Sequence, residues 1–170
     1  TFRHHHPRQI VNALFYLSKT GCMAKDTPSQ RMLPKSYPPW QTVYYHFRQW
    51  TASGLWGRLT DALRRAARVR AGRRPSPSTA IIDSQSVKTT QVGGPGRGFD
   101  GGKRISGRKR HILVDTMGLL LAVLVHSAAV HDSQRAPHLL RRVAGKVPRL
   151  RRIYADEGYA ATPAGLVERA

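Results

Sequence analysis

The sequence predicts an α/β protein in which a mixed sheet with flanking helices follows a small all-α module. Apolar residues recur at helical spacing within residues 1–70 and form strand-like runs within residues 80–170. Between these two regions, residues 71–79 are rich in proline, serine and arginine, which is the composition of a linker. These observations place a domain boundary at 71–79.

Two apolar helix faces are predicted in the N-terminal module. The first helix ends near Gly21, a residue type that often terminates helices, and its inward face carries Ile10, Leu14 and Leu17. The second helix starts at Pro39, which suits a first helical position, and its inward face carries Val43, Phe47 and Trp50.

A third helix is predicted over residues 55–70, and it gives the module a basic outer surface. Its inward positions are Leu55, Leu59 and Leu63. Its arginines fall mostly on the outward positions, namely Arg58, Arg64, Arg65 and Arg68. Arg64, Arg65 and Arg68 are therefore candidate DNA-binding residues.

The aromatic residues near the second helix allow two interpretations. They could stack on bases, or they could pack in the core of the module, and helical spacing favours the core. The residues concerned are Trp40, Tyr44, Tyr45, Phe47 and Trp50.

The C-terminal region predicts the element order strand, β-hairpin, helix, strand, helix. The hairpin turn is expected at Asp115–Gly118. The helix after the hairpin is expected to begin with Asp132 or Ser133 as its N-cap. A short strand ends at Asp156, and a final helix is expected with Thr162 as its N-cap.

The charge balance indicates a polyanionic partner. The formal net charge is +20, with 29 Lys and Arg against 9 Asp and Glu. Self-repulsion at this level destabilises a chain, and nucleic acid is the partner that fits best. No apolar run approaches the roughly 18 residues of a membrane span, and no secretory signal opens the chain. The single cysteine, Cys22, fits a reducing compartment, so a cytoplasmic location is expected.

Two aspartates are candidate ligands of a divalent cation. Asp83 follows the apolar residues 80–82, and Asp156 follows residues 153–155. Two carboxylates at the ends of neighbouring strands would repel each other unless a cation such as Mg²⁺ lay between them. The alternative is that both aspartates cap turns or helices, as is expected of Asp115 and Asp132.

Residues 93–110 form a cationic, glycine-rich segment that immediately follows the first candidate strand. The segment holds seven glycines and six cations, and it lacks the P-loop pattern. A flexible loop of this kind can follow a nucleic-acid backbone, and its position after a candidate metal-binding aspartate favours that interpretation over the alternative, a merely solvated charged loop. Asp100 within it is expected to be a turn residue rather than a ligand.

Long motifs of the chain resemble the insertion-sequence transposases of the DDE type, in the insertion-sequence-five branch. They are "AIIDSQSVKTT", "GGPGRGFDGGKRISGRKRHILVDTMGLLLAVLVHSAAVHD" and "IYADEGYA", with "NALFYLSKTGC" and "YPPWQTVYYHFRQWTASGLWGRL" in the N-terminal module. The resemblance covers nearly the whole chain, in order.

The resemblance implies a ribonuclease-H-like catalytic domain over residues 80–170 and a helical DNA-binding domain over 1–70. It implies cleavage and strand transfer at the terminal repeats of a mobile element, dependent on Mg²⁺ or Mn²⁺. Asp83 and Asp156 match the first and second catalytic aspartates, with Ser84 and Gln85 as neighbours. The remaining candidate DNA-binding residues are Lys88, Arg97, Lys103, Arg104, Arg108, Lys109 and Arg110. The implied partners are double-stranded DNA, both terminal repeat and target, and further copies of the chain bound to it, and the implied location is the bacterial nucleoid.

The third carboxylate of the family, a glutamate on a later helix, has no match here. Glu157 would point away from Asp156 on an extended strand, and Glu168 follows too soon. The sequence therefore predicts a transposase that is C-terminally truncated and weakly active or inactive. A non-catalytic product that occupies terminal repeats and inhibits transposition is the second hypothesis, and a non-specific basic nucleic-acid-binding protein is the third.

Overall fold

The computed structural model describes residues 5–20, 33–89, 96–156 and 159, together with the backbone of 168–169. The expectations for Gly21, Cys22, Glu157 and Thr162 lie outside these residues, as does the expected final helix up to residue 167. Contacts divide the chain into two compact units, Thr1–Leu59 and Thr60–Ala170. No helix in the described ranges combines the length and apolar character needed to cross a bilayer.

The first unit is built on helices α1 (Pro7–Thr20) and α2 (Trp40–Ala52). Its core follows the predicted faces, because Ile10, Leu14 and Leu17 of α1 are buried together with Val43 of α2. Phe47, Trp50 and Trp56 pack against that core, which favours the core interpretation of these aromatic side chains. Tyr45 of the same aromatic group is 58% exposed.

Helix α3 (Leu55–Arg70) departs from the predicted orientation at several positions, although Arg58 and Arg65 are exposed as predicted. Arg64 and Arg68 are only 3% and 5% exposed, whereas Leu59 and Leu63 are 41% and 61% exposed. The physical reason at Arg68 is its ion pair with the buried carboxylate of Asp115. This contact lies within the second unit, so the division between units falls inside α3. The linker expected at 71–79 stays a prediction.

Over its described residues the second unit contains a six-stranded sheet, and the mixed character of that sheet is as the sequence predicts. Its strands are β1 (Thr79–Lys88), β2 (Gly98–Asp100), β3 (Ile105–Asp115), β4 (Leu120–Ser127), β5 (Arg152–Ala155) and β6 (Glu168–Arg169). The order is β2-β3-β1-β5-β6, and β4 also pairs with β3. Strand β1 is antiparallel to β3 and parallel to β5.

The predicted hairpin turn is confirmed between β3 and β4. The Asp115 carboxylate accepts hydrogen bonds from the backbone N–H groups of Met117 at 2.8 Å and Leu119 at 2.9 Å. Gly118 has a φ of 73°, a left-handed conformation that favours glycine. The turn is therefore specified by local chemistry.

The cationic segment is not the flexible loop that the sequence predicts, at least from residue 96 onward. Residues 98–100 form β2, and β3 begins at Ile105, so Arg108, Lys109 and Arg110 lie on a paired strand. Because side chains alternate along a strand, Lys109 is buried and its two neighbours are exposed.

Helix α4 (Asp132–Arg141) covers one face of the sheet and completes the core. Its buried residues Ala136 and Leu139 belong to one cluster with Ile82, Leu113 and Ile153. The opposite face is open in the described structure, and its exposed apolar side chains include Ile81, Val87 and Val125. We refer to it below as the open face.

Strand β6 replaces part of the predicted C-terminal helix. Glu168 and Arg169 pair in parallel with Tyr154 and Ala155 of β5. The helical expectation is therefore wrong for residues 168–169, because pairing with the edge of β5 fixes an extended backbone there.

Candidate active site

Asp83 lies in the middle of β1 rather than at its end, and it is exposed rather than buried. Side chains alternate along the strand, so Ile82 and Ser84 point towards α4 and Asp83 points to the open face. One carboxylate oxygen of Asp83 accepts a hydrogen bond from the Ser84 N–H at 2.7 Å. Because the Asp83 carboxylate is exposed, the free-energy cost of burying an ionised carboxylate does not apply to it.

Asp156 follows the last residue of β5 and is also exposed. In the parallel pairing of β1 with β5, Thr79 is opposite Arg152 and Ile81 is opposite Tyr154. The last recorded pair is Ile81 with Tyr154, so Asp83 lies two residues beyond it on β1 and Asp156 two residues beyond it, just after the end of β5. If the register continued, the two aspartates would lie side by side, since paired strands are about 4.8 Å apart.

These two carboxylates have no third acidic or metal-binding neighbour in the described residues. Across those residues, no group of three or more His, Cys, Asp or Glu side chains is close enough to hold a metal ion. Exposed oxygen ligands are compatible with Mg²⁺, which keeps several of its own waters when bound to proteins. Among the described residues, the pair can therefore offer a hydrated cation two protein ligands.

Gln85 and Arg110 form a pair on the open face next to Asp83. The two residues are opposite each other in the ladder of β1 and β3. The Arg110 Nε donates to the Gln85 side-chain oxygen at 3.0 Å, and Nη2 donates to the same oxygen. This contact holds a guanidinium group on the same face as Asp83, two residues along the strand.

Three of the ten predicted DNA-binding cations are buried and face internal carboxylates or carbonyls. Arg64 contacts Asp61 at 2.9 Å, and Arg68 contacts Asp115 at 2.5 Å. Lys109 is 6% exposed. These three side chains are therefore not on the accessible surface. The remaining predicted cations are exposed, namely Arg65, Lys88, Arg97, Lys103, Arg104, Arg108 and Arg110.

Lys109 is the centre of a buried ionic cluster beneath the open face. Its ammonium group lies 2.9 Å from Asp132 Oδ1 and 3.3 Å from Asp100 Oδ2. It also donates to the Val130 carbonyl oxygen at 3.3 Å. Two carboxylates around one ammonium satisfy a charge that would otherwise be costly to bury.

Two serines of β1 complete this cluster. The hydroxyl of Ser84 donates to Asp132 Oδ2 at 2.7 Å, and that of Ser86 donates to Asp100 Oδ2 at 2.5 Å. The Ser86 hydrogen bond is the main reason that the pKa of Asp100 is lowered to about 2. Burial alone would raise the pKa of Asp132, but the Ser84 hydrogen bond and Lys109 outweigh it and lower that pKa.

The sequence predicts Asp100 as a turn residue and Asp132 as a helix cap, and the structure confirms only the first of these predictions. Asp100 is a turn residue as predicted, since it accepts hydrogen bonds from the N–H groups of Gly102 and Lys103, both at 3.1 Å. Asp132 is the first residue of α4 and not its cap. His131 occupies the N-cap position. The Asp132 side chain turns instead towards Ser84 and Lys109.

Sequence reasoning missed a chain of buried rings that extends towards Asp156. His111 Nδ1 lies 2.6 Å from the Tyr159 hydroxyl, and His111 Nε2 lies 2.7 Å from His126 Nε2. His126 Nδ1 lies 2.7 Å from the Ser127 carbonyl oxygen. The only signal in the sequence is the position of His111 on the inward side of the β3 alternation.

The hydrogen-bond network assigns one consistent set of tautomers to these rings. A carbonyl oxygen only accepts, so His126 Nδ1 carries a proton and donates to Ser127. His126 Nε2 then accepts from His111, and His111 Nδ1 accepts from the Tyr159 hydroxyl. Burial lowers the pKa of His111 to about 4 and also lowers that of His126, so both rings are neutral near pH 7.

Comparisons with known proteins identify the family to which the chain is similar. Residues 74–166, more than half of the chain, match the family model described as the transposase DDE domain. Residues 2–60 match the model described as a putative transposase of the IS4/5 family.

A curated relative points in the same direction. The chain is 28% identical over 86 residues to the insertion element IS402 uncharacterized 16.2 kDa protein of Burkholderia cepacia. The match covers 51% of this chain and 54% of that relative, so the chain spans about half the length of the relative it matches. No solved structure matches the chain significantly. The two family models together show that the chain belongs to the IS4/5-type DDE transposases.

Proposed function

We propose that the chain acts on DNA as an insertion-element transposase, cutting and joining phosphodiesters at terminal repeats with the help of a divalent cation. The observation that carries this proposal is the parallel pairing of β1 with β5, because extending its register beyond the last pair, Ile81 with Tyr154, would bring Asp156 beside Asp83.

The strand arrangement supports a ribonuclease-H-like fold for the catalytic region. Strands β1, β3 and β4 are antiparallel neighbours, and β5 and β6 are added in parallel at the other edge of β1. Helix α4 lies between β4 and β5 in the chain and covers one face. Asp83 is then on the central strand, and Asp156 directly follows its parallel neighbour.

Asp83 and Asp156 would hold Mg²⁺ or Mn²⁺, and their exposure leaves room for the waters that such ions keep. When bound, the cation would activate the attacking water or 3′ hydroxyl and stabilise the leaving oxygen. With two protein ligands in the described structure, we expect weak metal affinity and slow cleavage.

The cations of the open face would bind the DNA backbone near these carboxylates. Gln85 holds the Arg110 guanidinium two residues from Asp83, and a guanidinium group suits a phosphate well. Exposed cations that contact phosphates release counterions, so affinity should fall steeply with salt. A DNA substrate also implies a location at the nucleoid, with further copies of the chain on the same DNA.

A single assay tests the proposal. The protein is incubated with labelled terminal-repeat DNA and Mg²⁺ or Mn²⁺, and nicking is followed on a denaturing gel. We expect cation-dependent nicking that Asp83→Asn abolishes and that Asp61→Asn, a carboxylate removal on α3, retains. Nicking that survives in Asp83→Asn would show that the proposed site is not the catalytic one.

A second candidate function is supported by the missing third carboxylate in the described residues. The chain would then occupy terminal repeats without cutting them and compete with an active transposase. A sequence-specific gel shift without nicking, unchanged in Asp83→Asn, is the outcome expected of this function. Equal shifts on any DNA would contradict both proposals and indicate a non-specific basic nucleic-acid-binding protein.

A further inference from the structure

Tyr159 connects the candidate metal ligand Asp156 to the buried interior of the sheet. Its backbone N–H donates to the Asp156 carbonyl oxygen at 3.1 Å. Its side chain is buried, with 2% of the residue exposed, and its hydroxyl lies 2.6 Å from His111 Nδ1. One residue therefore makes a backbone contact with Asp156 and a side-chain contact with β3.

Asp156 needs an anchor of this kind because strand pairing stops before it. Strand β5 ends at Ala155, and the pairs between β1 and β5 end at Ile81 and Tyr154. A backbone beyond the last ladder pair is free to fray unless other contacts hold it. Tyr159 supplies such a contact directly.

The other end of the anchor is rigid. His111 is fully buried and lies within β3, opposite Ser84 of β1 and Leu124 of β4. Its second ring nitrogen is 2.7 Å from His126 Nε2, and the two rings are stacked with centroids 4.8 Å apart. Contacts on both ring nitrogens leave His111 little freedom to rotate away from Tyr159.

We propose that Tyr159 is a positioning residue that, through His111, holds Asp156 beside Asp83. The effect of Tyr159 on metal binding by the two carboxylates rests on the proposed function. The anchoring of the Asp156 backbone by Tyr159 does not depend on a metal. In this proposal the Tyr159 hydroxyl takes no part in the reaction. Its removal would affect metal binding by loosening the backbone that carries Asp156.

The first experiment measures amide hydrogen exchange in the metal-free protein by NMR. Tyr159→Phe removes only the hydroxyl and keeps the ring, and Tyr154→Phe is the matched removal on β5. We expect the Tyr159 amide to exchange about tenfold faster in Tyr159→Phe. We expect no change in Tyr154→Phe or in the amides of β1. Unchanged exchange at Tyr159 would overturn the anchoring role.

The second experiment maps metal binding without measuring activity. Fe²⁺ replaces Mg²⁺, and ascorbate with peroxide generates hydroxyl radicals that cut the backbone near the bound ion. We expect the unmodified chain to be cut near Asp83 and near Asp156, and Tyr159→Phe to lose the cut near Asp156 while keeping the one near Asp83. Equal cutting in both proteins would overturn the proposal.

A second variant guards against misfolding and separates the two proposals. His111→Leu removes the ring that the Tyr159 hydroxyl contacts at 2.6 Å, so it should lose the same cut, and the double variant should lose no more. If His111→Leu fails to fold by circular dichroism, Tyr159→Phe decides alone. If the unmodified chain gives no localised cuts, the metal site is refuted, while the hydrogen-exchange result still decides whether Tyr159 anchors Asp156.

Discussion

Replacing Arg68 by methionine separates a structural role from the DNA-binding role that its sequence position suggests. Arg68 Nη1 donates to Asp115 Oδ2 at 2.5 Å, and Arg68 Nε donates to the Arg74 carbonyl oxygen at 2.8 Å. Arg68 is 5% exposed and Asp115 is fully buried. Methionine keeps most of the aliphatic stem and removes the charge, so Asp115 is left as a buried carboxylate without its cation.

The expected loss of stability follows from that uncompensated charge. Removing one partner of a buried ion pair typically costs about 3–5 kcal/mol. Asp115 retains its hydrogen bonds from the N–H groups of Met117 and Leu119, which favours the lower end of that range. We therefore expect Arg68→Met to lower the free energy of unfolding by about 3 kcal/mol.

Urea unfolding followed by far-ultraviolet circular dichroism measures this loss. With a slope of about 1.5 kcal/mol per molar urea, the midpoint should fall by about 2 M. The control is Arg65→Met, because Arg65 lies on the same helix and is exposed. Its unfolding free energy should change by less than about 0.5 kcal/mol.

The opposite pattern would refute the reasoning. An Arg68→Met protein that unfolds at the urea concentration of the unmodified chain, but binds DNA more weakly, would show that Arg68 contacts DNA. In that case the buried ion pair would not describe the protein in solution.

Three further predictions follow from close contacts and charge. Gly107→Ala should strongly destabilise the protein in urea unfolding, because a Cβ there would lie 1.9 Å from the Val87 carbonyl oxygen. The control is Gly101→Ala, whose Cβ would have no heavy atom within 4 Å. Equal stability of the two variants would contradict this prediction. The pKa of His111 falls from 6.5 to about 4 on folding. The unfolded state therefore binds more protons between these values, so stability should drop by about 3 kcal/mol as the pH falls through this window. A flat pH profile would contradict the neutral buried ring. Arg110→Gln should reduce the slope of log affinity against log salt by about 1 in fluorescence anisotropy with labelled DNA. An unchanged slope would mean that Arg110 does not contact phosphate.

Much of the fold could be predicted because its signals are local. The turn at Asp115–Gly118 combines an aspartate that accepts turn N–H groups with a glycine that adopts a positive φ, and both are visible in four residues. The strands around Asp83 and Asp156 were predicted from short apolar runs. Their parallel pairing was not predicted from the sequence and is seen only in the structure.

The sequence by itself determined the family, the mixed α/β class and the pair of aspartates as candidate ligands. Tertiary structure alone decided which cations face solvent. Lys109 and Arg110 are neighbours of the same sign, yet strand alternation and a distant carboxylate, Asp132, draw one inward and leave the other outside. Arg68 is buried for the same reason, because Asp115 is far along the chain. Such ion pairs depend on how distant strands and helices pack together, and local sequence patterns do not predict that packing.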